Sequence, residues 1–217
     1  MRRISRAYHR EETGFSVARG NFKLGKDTLA INPGPSVMCP SDEADLCMIT
    51  TFCPEAYCFS KRDEKRYPRV FEFRLNQKQY WDEHVKHPKD IIKDFDWLMK
   101  KLRVPINWLR LCVSSDMFSH YDWAASDVLA HHMRKRWDVG TYGYCAVPWH
   151  PYENLNFVVR GSGHGNSPCG DTIVISHSAP IPRGYVECPM LCDSCLWCKE
   201  ETYRRIAFRV HATRKMI

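Results

Sequence analysis

Three consecutive stretches decide the fold: INWLRLCVS (106–114), YDWAASDVLAHHMRKRW (121–137) and TYGYCAV (141–147). The first and third are short apolar runs, which suit buried strands. The middle stretch has helical periodicity, with apolar residues at Trp123, Leu129, Met133 and Trp137. Strand, helix and strand in succession predict a βαβ unit, whose two strands are parallel and joined by a right-handed crossover.

The same pattern continues on both sides of this unit. Residues 76–102 read as two helices separated at Pro88, and further strands are expected at 28–32, 157–160, 172–177 and 206–211. Residues 1–35 read as an irregular N-terminal arm that ends at the breaker run 32–35. We therefore predict one α/β domain over 1–217, with a βαβ core at 106–180 and a parallel sheet that is open or curled into a partial (β/α) barrel.

Composition narrows the class of protein. The chain has 217 residues, of which 44% are hydrophobic, enough for one substantial core. It shows neither an apolar run long enough to cross a bilayer nor the apolar centre of a signal peptide, so we expect a cytoplasmic protein with no membrane partner. In a reducing compartment, eleven cysteines point to metal ligation instead of disulfides.

The formal net charge of +7 favours a polyanion as partner. Nucleic acid is one such partner, and a solvated basic surface without a partner is the alternative. The charge alone does not choose between them.

The sharper cysteine cluster is Cys188-Pro-Met-Leu-Cys192-Asp-Ser-Cys195-Leu-Trp-Cys198, four thiols within eleven residues. A consecutive run of this kind resembles part of the bacterial ferredoxin motif, which favours a [4Fe-4S] cluster. Zinc is the alternative, because some enzymes hold a structural zinc in one compact four-cysteine lobe.

The first cluster is looser and spans residues 39–58. Its cysteines are Cys39, Cys47, Cys53 and Cys58. If three of the four hold a cubane cluster, one iron stays open for a substrate or cofactor; a second zinc loop is the alternative. Cys112 and Cys145 fall within predicted strands and are interpreted as small buried residues.

With both clusters in view, the chain resembles a cysteine-rich family carried by bacteriophages. The shared elements are an Asn-x-Lys-x-Gly-Lys segment at 21–26, a Cys-Pro loop from Cys39 to Cys58, a second cluster from Cys188 to Cys198, and the closing strand. If the protein is phage-encoded, we expect it in the cytoplasm of the host cell.

That family in turn looks like a compact relative of radical S-adenosylmethionine (SAM) enzymes. In those enzymes a turn after the second strand contacts the SAM amino group, and the resemblance gives this cofactor-binding role to Ser114, Ser115 and Asp116. The alternative is that Asp116 caps the following helix. The C-x3-C-x2-C spacing of radical-SAM enzymes is absent from residues 39–58.

Two functions follow from the sequence. The first is an iron–sulfur enzyme, radical-SAM-like, with one or two clusters and a nucleotide or nucleic-acid substrate. The second is a non-enzymatic zinc protein that binds nucleic acid or a protein partner through its basic surface.

Overall fold

The computed structural model describes residues 6–20, 24–44, 58–117, 119–147, 154–163, 167–192 and 194–209. The strands are β1 (Arg6–Arg10), β2 (Phe15–Arg19), β3 (Thr28–Ala30), β4 (Trp108–Leu111), β5 (Gly140–Cys145), β6 (Val158–Ser162), β7 (Asp171–Ile175), β8 (Val186–Glu187) and β9 (Ile206–Arg209). The helices are α1 (Pro40–Glu43), α2 (Phe59–Arg66), α3 (Pro68–His84), α4 (Pro88–Lys101) and α5 (His120–Trp137). A short 3-10 helix covers Ser36–Met38.

All nine of these strands belong to one sheet with the order β1-β2-β3-β4-β5-β6-β7-β9-β8. The first two pairings are antiparallel, and every pairing from β3 onward is parallel. The prediction of an α/β protein with a mostly parallel sheet is therefore confirmed. The sheet is not closed, because β1 and β8 lie at its two opposite edges.

The long helices begin and end where local chemistry requires. Pro68 and Pro88 stand in the first turns of α3 and α4, where the backbone N–H that proline lacks would have no partner within the helix. Helix α5 begins with a capping box in which Ser119 and Asp122 bond each other's backbone N–H groups. It ends at Asp138, which adopts a left-handed conformation with φ of 53°.

Helices α3, α4 and α5 pack on one face of the sheet. From β4 this face receives the fully buried Leu109 and Leu111. The helices contribute Tyr80, Trp81, Ile91, Phe95, Leu98, Trp123, Leu129 and Met133 to the same core. Burying each large apolar side chain contributes roughly 1.5–3 kcal/mol, so this interface is the main source of stability.

The strand order explains why these helices share a face. From β3 to β7 each strand pairs with the next one along the chain. Right-handed crossovers between strands that always advance in the same direction place every helix on the same side. A parallel sheet is normally covered on both faces, so the second face needs another cover.

The second face is aromatic, and the C-terminal cysteine segment covers it. The registers of β4, β5 and β6 put Trp108, Tyr142, Tyr144 and Arg160 on this face. Cys198 packs beside Tyr142 and Tyr144, and Lys199 lies over the rings of Trp108 and Tyr142. We call residues 188–205 the cysteine lobe.

One sequence prediction needs correction. Within residues 1–35, the described part is not an irregular arm, because β1 and β2 form an antiparallel hairpin that leads to β3. Of the two predicted forms of the sheet, the strand order agrees with the open one, because the sheet has two separate edges. Among the described residues no helix is both long enough and apolar enough to span a membrane.

Candidate metal centres

The ends of β3 and β4 are bound to each other at the carboxyl edge of the sheet. Asn32, just after β3, accepts a hydrogen bond from the Ser114 N–H at 2.8 Å through its side-chain oxygen. The Ser114 hydroxyl donates to the Gly34 carbonyl at 2.8 Å. Both serines of the 114–115 turn are buried. The predicted cofactor turn is therefore held against the segment that leads into the first cysteine loop.

Asp116 lies where the ends of three strands meet. Its Oδ2 accepts a hydrogen bond from the N–H of Ala146, which follows β5, at 3.3 Å. The same oxygen is 3.9 Å from Sγ of Cys39, which follows the 3-10 helix after β3. Burial raises the pKa of Asp116, while Ser41, Ala146 and Cys39 partly oppose this. The carboxyl edge of a parallel sheet is where ligands bind in such folds.

The alternative role for Asp116 as a helix cap is wrong. Helix α5 has Ser119 as its N-cap, and the Ser119 hydroxyl accepts the N–H of Asp122 at 3.1 Å. Asp116 instead contacts Cys39 and the end of β5. Its carboxylate thus belongs to the carboxyl edge of the sheet and not to the N-terminus of α5.

Two further thiols line this edge of the sheet. Cys112 directly follows β4 with φ of 56°, a left-handed conformation that is uncommon for a residue with a side chain. Burial raises the pKa of both the Cys112 and the Cys145 thiol. Their interpretation as small buried residues is confirmed. The backbone at Cys112 is the kind of local strain that clusters at functional sites.

A buried ion pair fixes both ends of the first cysteine loop. The Glu64 carboxylate accepts hydrogen bonds from the N–H of Ser36 at 2.9 Å and from its hydroxyl at 2.6 Å. Arg74 donates to Glu64 at 2.6 Å and to the Ser60 carbonyl at 3.3 Å. Ser36 lies three residues before Cys39, and Ser60 lies two residues after Cys58. Cys47 and Cys53 lie outside the described residues, so their role as ligands stays a prediction.

The cysteine lobe begins and ends on neighbouring strands. The Cys188 N–H donates to the Ala207 carbonyl at 2.9 Å, which continues the β8–β9 pairing. Met190 adopts a left-handed conformation with φ of 62°, and the Cys195 N–H closes a turn on the Leu191 carbonyl at 2.7 Å. Both turns lie between Cys188 and Cys198, so they bend the chain between the four predicted ligands of the lobe.

The four thiols of the lobe interact electrostatically. Burial raises the pKa of Cys188 to about 11, and the neighbouring thiols of Cys198, Cys192 and Cys195 add to the rise. Burial likewise raises the pKa of Cys198. Within the described part of the chain, no three His, Cys, Asp or Glu side chains are arranged as a group able to hold a metal ion. Ligation by these cysteines therefore stays a prediction.

Two cations anchor the lobe, and sequence reasoning did not identify them. Arg160 on β6 is fully buried. Its guanidinium donates to the backbone carbonyl of Cys169, just before β7, and to four backbone carbonyls of the lobe, those of Trp197, Glu200, Thr202 and Arg204. Lys199 is 5% exposed, and its Nζ donates to the Cys192 carbonyl at 2.9 Å. The sequence does contain one indication of a buried cation, because Arg160 directly follows the apolar residues Phe157-Val-Val.

Comparison with known protein families identifies a relationship. A family model described as gene product 88 matches residues 5–150. The match includes the first cysteine loop and the turn at Asp116, and it stops before the cysteine lobe. No curated protein and no solved structure matches the chain.

Proposed function

The chain belongs to the gene product 88 family, a phage-type family, and from this premise we propose that it is an iron–sulfur metalloprotein with radical-SAM-like chemistry. In this proposal the loop 39–58 carries the working [4Fe-4S] cluster. The cysteine lobe carries a second cluster or a structural metal ion. The substrate is a nucleotide or nucleic acid, and the site of action is the host cytoplasm.

The contact between Cys39 and Asp116 carries the proposal. A prospective cluster ligand from the loop after β3 lies 3.9 Å from a carboxylate in the turn after β4. An open iron next to a carboxylate would offer two anchoring points to a ligand such as SAM. The iron would bind a donor atom of the ligand, and the carboxylate would bind its amino group. Ser114 and Ser115 belong to the same turn and complete the proposed cofactor site.

Within the proposal each residue of this edge has a separate task. Three or four of the first-loop cysteines would hold the cluster, which supplies one-electron chemistry when bound; they are Cys39, Cys47, Cys53 and Cys58. The Asp116 carboxylate would accept hydrogen bonds from the SAM amino group. Glu64 and Arg74 hold the loop ends in place, so they are positioning residues and contact neither ligand.

Metal analysis of protein purified without oxygen is the first test. Iron and acid-labile sulfide in near-equal amounts, with absorption near 400 nm that is lost on oxidation, would support the proposal. Iron below one atom per chain after anaerobic reconstitution with iron and sulfide would overturn it.

SAM binding to the reconstituted protein tests the cofactor site. Asp116→Asn is expected to weaken binding by about tenfold or more, because a hydrogen bond to a charged group contributes roughly 1.5–3 kcal/mol. The exposed carboxylate of Glu43 in α1 offers a matched control, and Glu43→Gln should bind SAM as the wild type does. Equal SAM affinity in Asp116→Asn and the control would remove Asp116 from the site.

A second candidate function is supported by the position of the cysteine lobe. Because the lobe covers one face of the sheet, a zinc ion bound there would have a structural task, as in the non-enzymatic alternative. The partner would then be nucleic acid or a protein, bound by the basic surface. A colourless protein with about two zinc ions per chain would favour this function over the first.

The basic side chains near the first cysteine loop are the relevant ones for a polyanion. Lys65, Arg66 and Arg69 are exposed and follow Cys58 closely along the chain. Arg134, Lys135 and Arg136 are also exposed, but they end α5 and precede the amino end of β5, which is the opposite edge of the sheet. A nucleic acid acted on at Asp116 would therefore meet the first group and not the second.

A further inference from the structure

One arginine on the second face of the sheet has no bonded partner within the described residues. Arg110 lies on β4 between Leu109 and Leu111, whose side chains enter the helix-covered core, so the alternation of a strand points Arg110 to the second face. Its guanidinium carbon lies 5.2 Å from the centre of the Tyr144 ring. Its Nε is buried without a hydrogen-bond partner, and among the described residues no carboxylate forms an ion pair with it.

This arginine differs from two others that also have a buried Nε without a partner. Arg10 donates through a terminal nitrogen to the Asp94 carboxylate, and the terminal nitrogens of Arg160 donate to backbone carbonyls. Within the described part of the chain, the guanidinium of Arg110 has neither kind of acceptor. A buried donor that is left unsatisfied costs free energy, and a charged donor costs more than a neutral one. An anion that accepts hydrogen bonds from Arg110 would remove this cost.

The surroundings of Arg110 suit an anion that carries a flat ring. Tyr144 on β5 and Phe208 on β9 pack edge to face, with their ring centres 6.2 Å apart. All three side chains are only half-buried, so a ligand can reach them. The cysteine lobe lies over Trp108 and Tyr142, which stand two residues nearer to the amino edge of the sheet. Aromatic rings beside an arginine are the combination that binds a nucleobase and its phosphate.

The site also lies close to the carboxyl edge of the sheet. Tyr144 precedes Ala146 by two residues, and the Ala146 N–H donates to the carboxylate of Asp116. Two residues of a β-strand span about 7 Å, and a nucleoside monophosphate is longer than this. A nucleotide with its phosphate at Arg110 can therefore extend to the edge where Asp116 lies.

We propose that Arg110 binds a phosphate ester of the substrate, and that the rings of Tyr144 and Phe208 contact the attached nucleoside. The inference rests on the proposed function, which makes the substrate a nucleotide or nucleic acid and places the reaction near Asp116. It adds the residue that recognises the phosphate. The planar fork of arginine bonds phosphate oxygens in pairs, and its stacking on Tyr144 holds that fork in one orientation.

The test compares ligands that differ only in the phosphate. Each common nucleoside monophosphate and its uncharged nucleoside are titrated by calorimetry into the full-length protein as purified, without added metal. Arg110→Gln removes the charge, and Arg110→Lys keeps the charge but loses the planar fork. Arg136→Gln is the matched control, because Arg136 is an exposed arginine that lies 5.7 Å from the centre of the Trp137 ring, at the opposite edge of the sheet.

The expected losses separate recognition of the phosphate from recognition of the nucleoside. Arg110→Gln should bind the monophosphate about 10- to 100-fold more weakly than the wild type, because hydrogen bonds from a charged donor are lost, and should bind the nucleoside as before. Phe208→Leu should weaken binding of both ligands about fivefold or more, because a base–ring contact is lost. Arg136→Gln should bind both ligands as the wild type does. Unchanged affinities in Phe208→Leu would overturn the role of the rings.

A short fluorescent single-stranded oligonucleotide identifies the source of the phosphate. If Arg110→Gln loses affinity for the monophosphate, the site takes a free nucleotide. If it loses affinity for the oligonucleotide alone, a nucleic-acid strand supplies the phosphate, and Arg110 still recognises it. If the wild type binds neither probe, or if Arg110→Gln binds both as tightly as the wild type, the proposal is overturned.

The design covers a variant that does not fold and keeps the two proposals separate. If Arg110→Gln does not fold, Arg110→Lys replaces it: a loss of about threefold or more for the monophosphate supports the proposal, and equal affinity overturns it. Because the titrations need no metal, iron-free protein that binds the monophosphate through Arg110 would keep this site and remove the iron–sulfur function. Iron-loaded protein whose phosphate binding does not depend on Arg110 would do the reverse.

Discussion

Removing Arg74 tests whether the buried ion pair fixes the first cysteine loop. The side chains of Arg74 and Glu64 are 9% and 4% exposed and lie 2.6 Å apart. In Arg74→Met the Glu64 carboxylate keeps its two bonds from Ser36 but loses its only cationic partner among the described ion pairs. Breaking a buried pair in this way costs about 3–5 kcal/mol.

The cost converts into a measurable shift. For a chain of this size, 1 kcal/mol lowers the thermal midpoint by roughly 2–4 °C, so Arg74→Met should melt about 6–20 °C below the wild type. Thermal unfolding followed by circular dichroism, with metal content measured on the same samples, gives both readouts. Because the pair holds Ser36 and Ser60, any metal that the first loop binds, as proposed, should also be lost.

A double variant separates loss of the pair from loss of packing. In Arg74→Met with Glu64→Leu no charge is left unpaired, so most of the stability should return. Lys93→Met, which removes an exposed partner of Asp90, should leave the midpoint unchanged. A midpoint for Arg74→Met within about 2 °C of the wild type would show that the pair does not constrain the loop.

Three further predictions address other parts of the molecule. Burial alone would raise the pKa of Asp96, but hydrogen bonds from His132 and Trp137 lower it below the usual value of 3.8. The ionised Asp96 therefore contributes its full stabilisation above pH 3.8, and this contribution is lost as the pH falls through the lowered pKa. Asp96→Asn should therefore unfold more readily than the wild type at pH 7, with the difference shrinking below pH 4 in acid titrations. If the lobe holds a metal ion, Cys192→Ser should release it and increase the binding of a hydrophobic dye, because the aromatic face becomes exposed; unchanged dye binding would contradict this covering role. Replacing Lys65, Arg66 and Arg69 by Glu should weaken binding of a fluorescent oligonucleotide, whereas the same change at 134–136 should not, and equal effects would place the polyanion elsewhere.

Much of the layer structure follows from sequence periodicity. Helices α4 and α5 are predicted because their apolar residues recur on one face, and strands β3 to β7 because each is a short run rich in apolar residues. Helix α3 was predicted from residue 76, yet it begins at Pro68 because the proline is favoured in the first turn. The hairpin β1–β2 was missed because β1, RAYHR, is an edge strand with few apolar residues.

The candidate site was predicted in part, for a geometric reason. Parallel strands bring their carboxyl ends to one edge, so the approach of Asp116 to Cys39 could be expected from chain order alone. The buried environment of Arg160 could not, because it depends on which segments fold over β6. Similarly, an open sheet and a closed barrel have the same strand pattern in the sequence, and only the strand pairings show that β1 and β8 stay at separate edges.

The position of β9 has a consequence for the order in which the protein assembles during synthesis. Strand β8 pairs with β9 alone, and β9 lies between β8 and β7. Strand β8 leaves the ribosome before β9, so it cannot pair with the sheet until β9 has been synthesised. Until β9 is inserted, the aromatic rings on β4 and β5 face water. The growing chain then exposes an apolar surface to which other chains can bind.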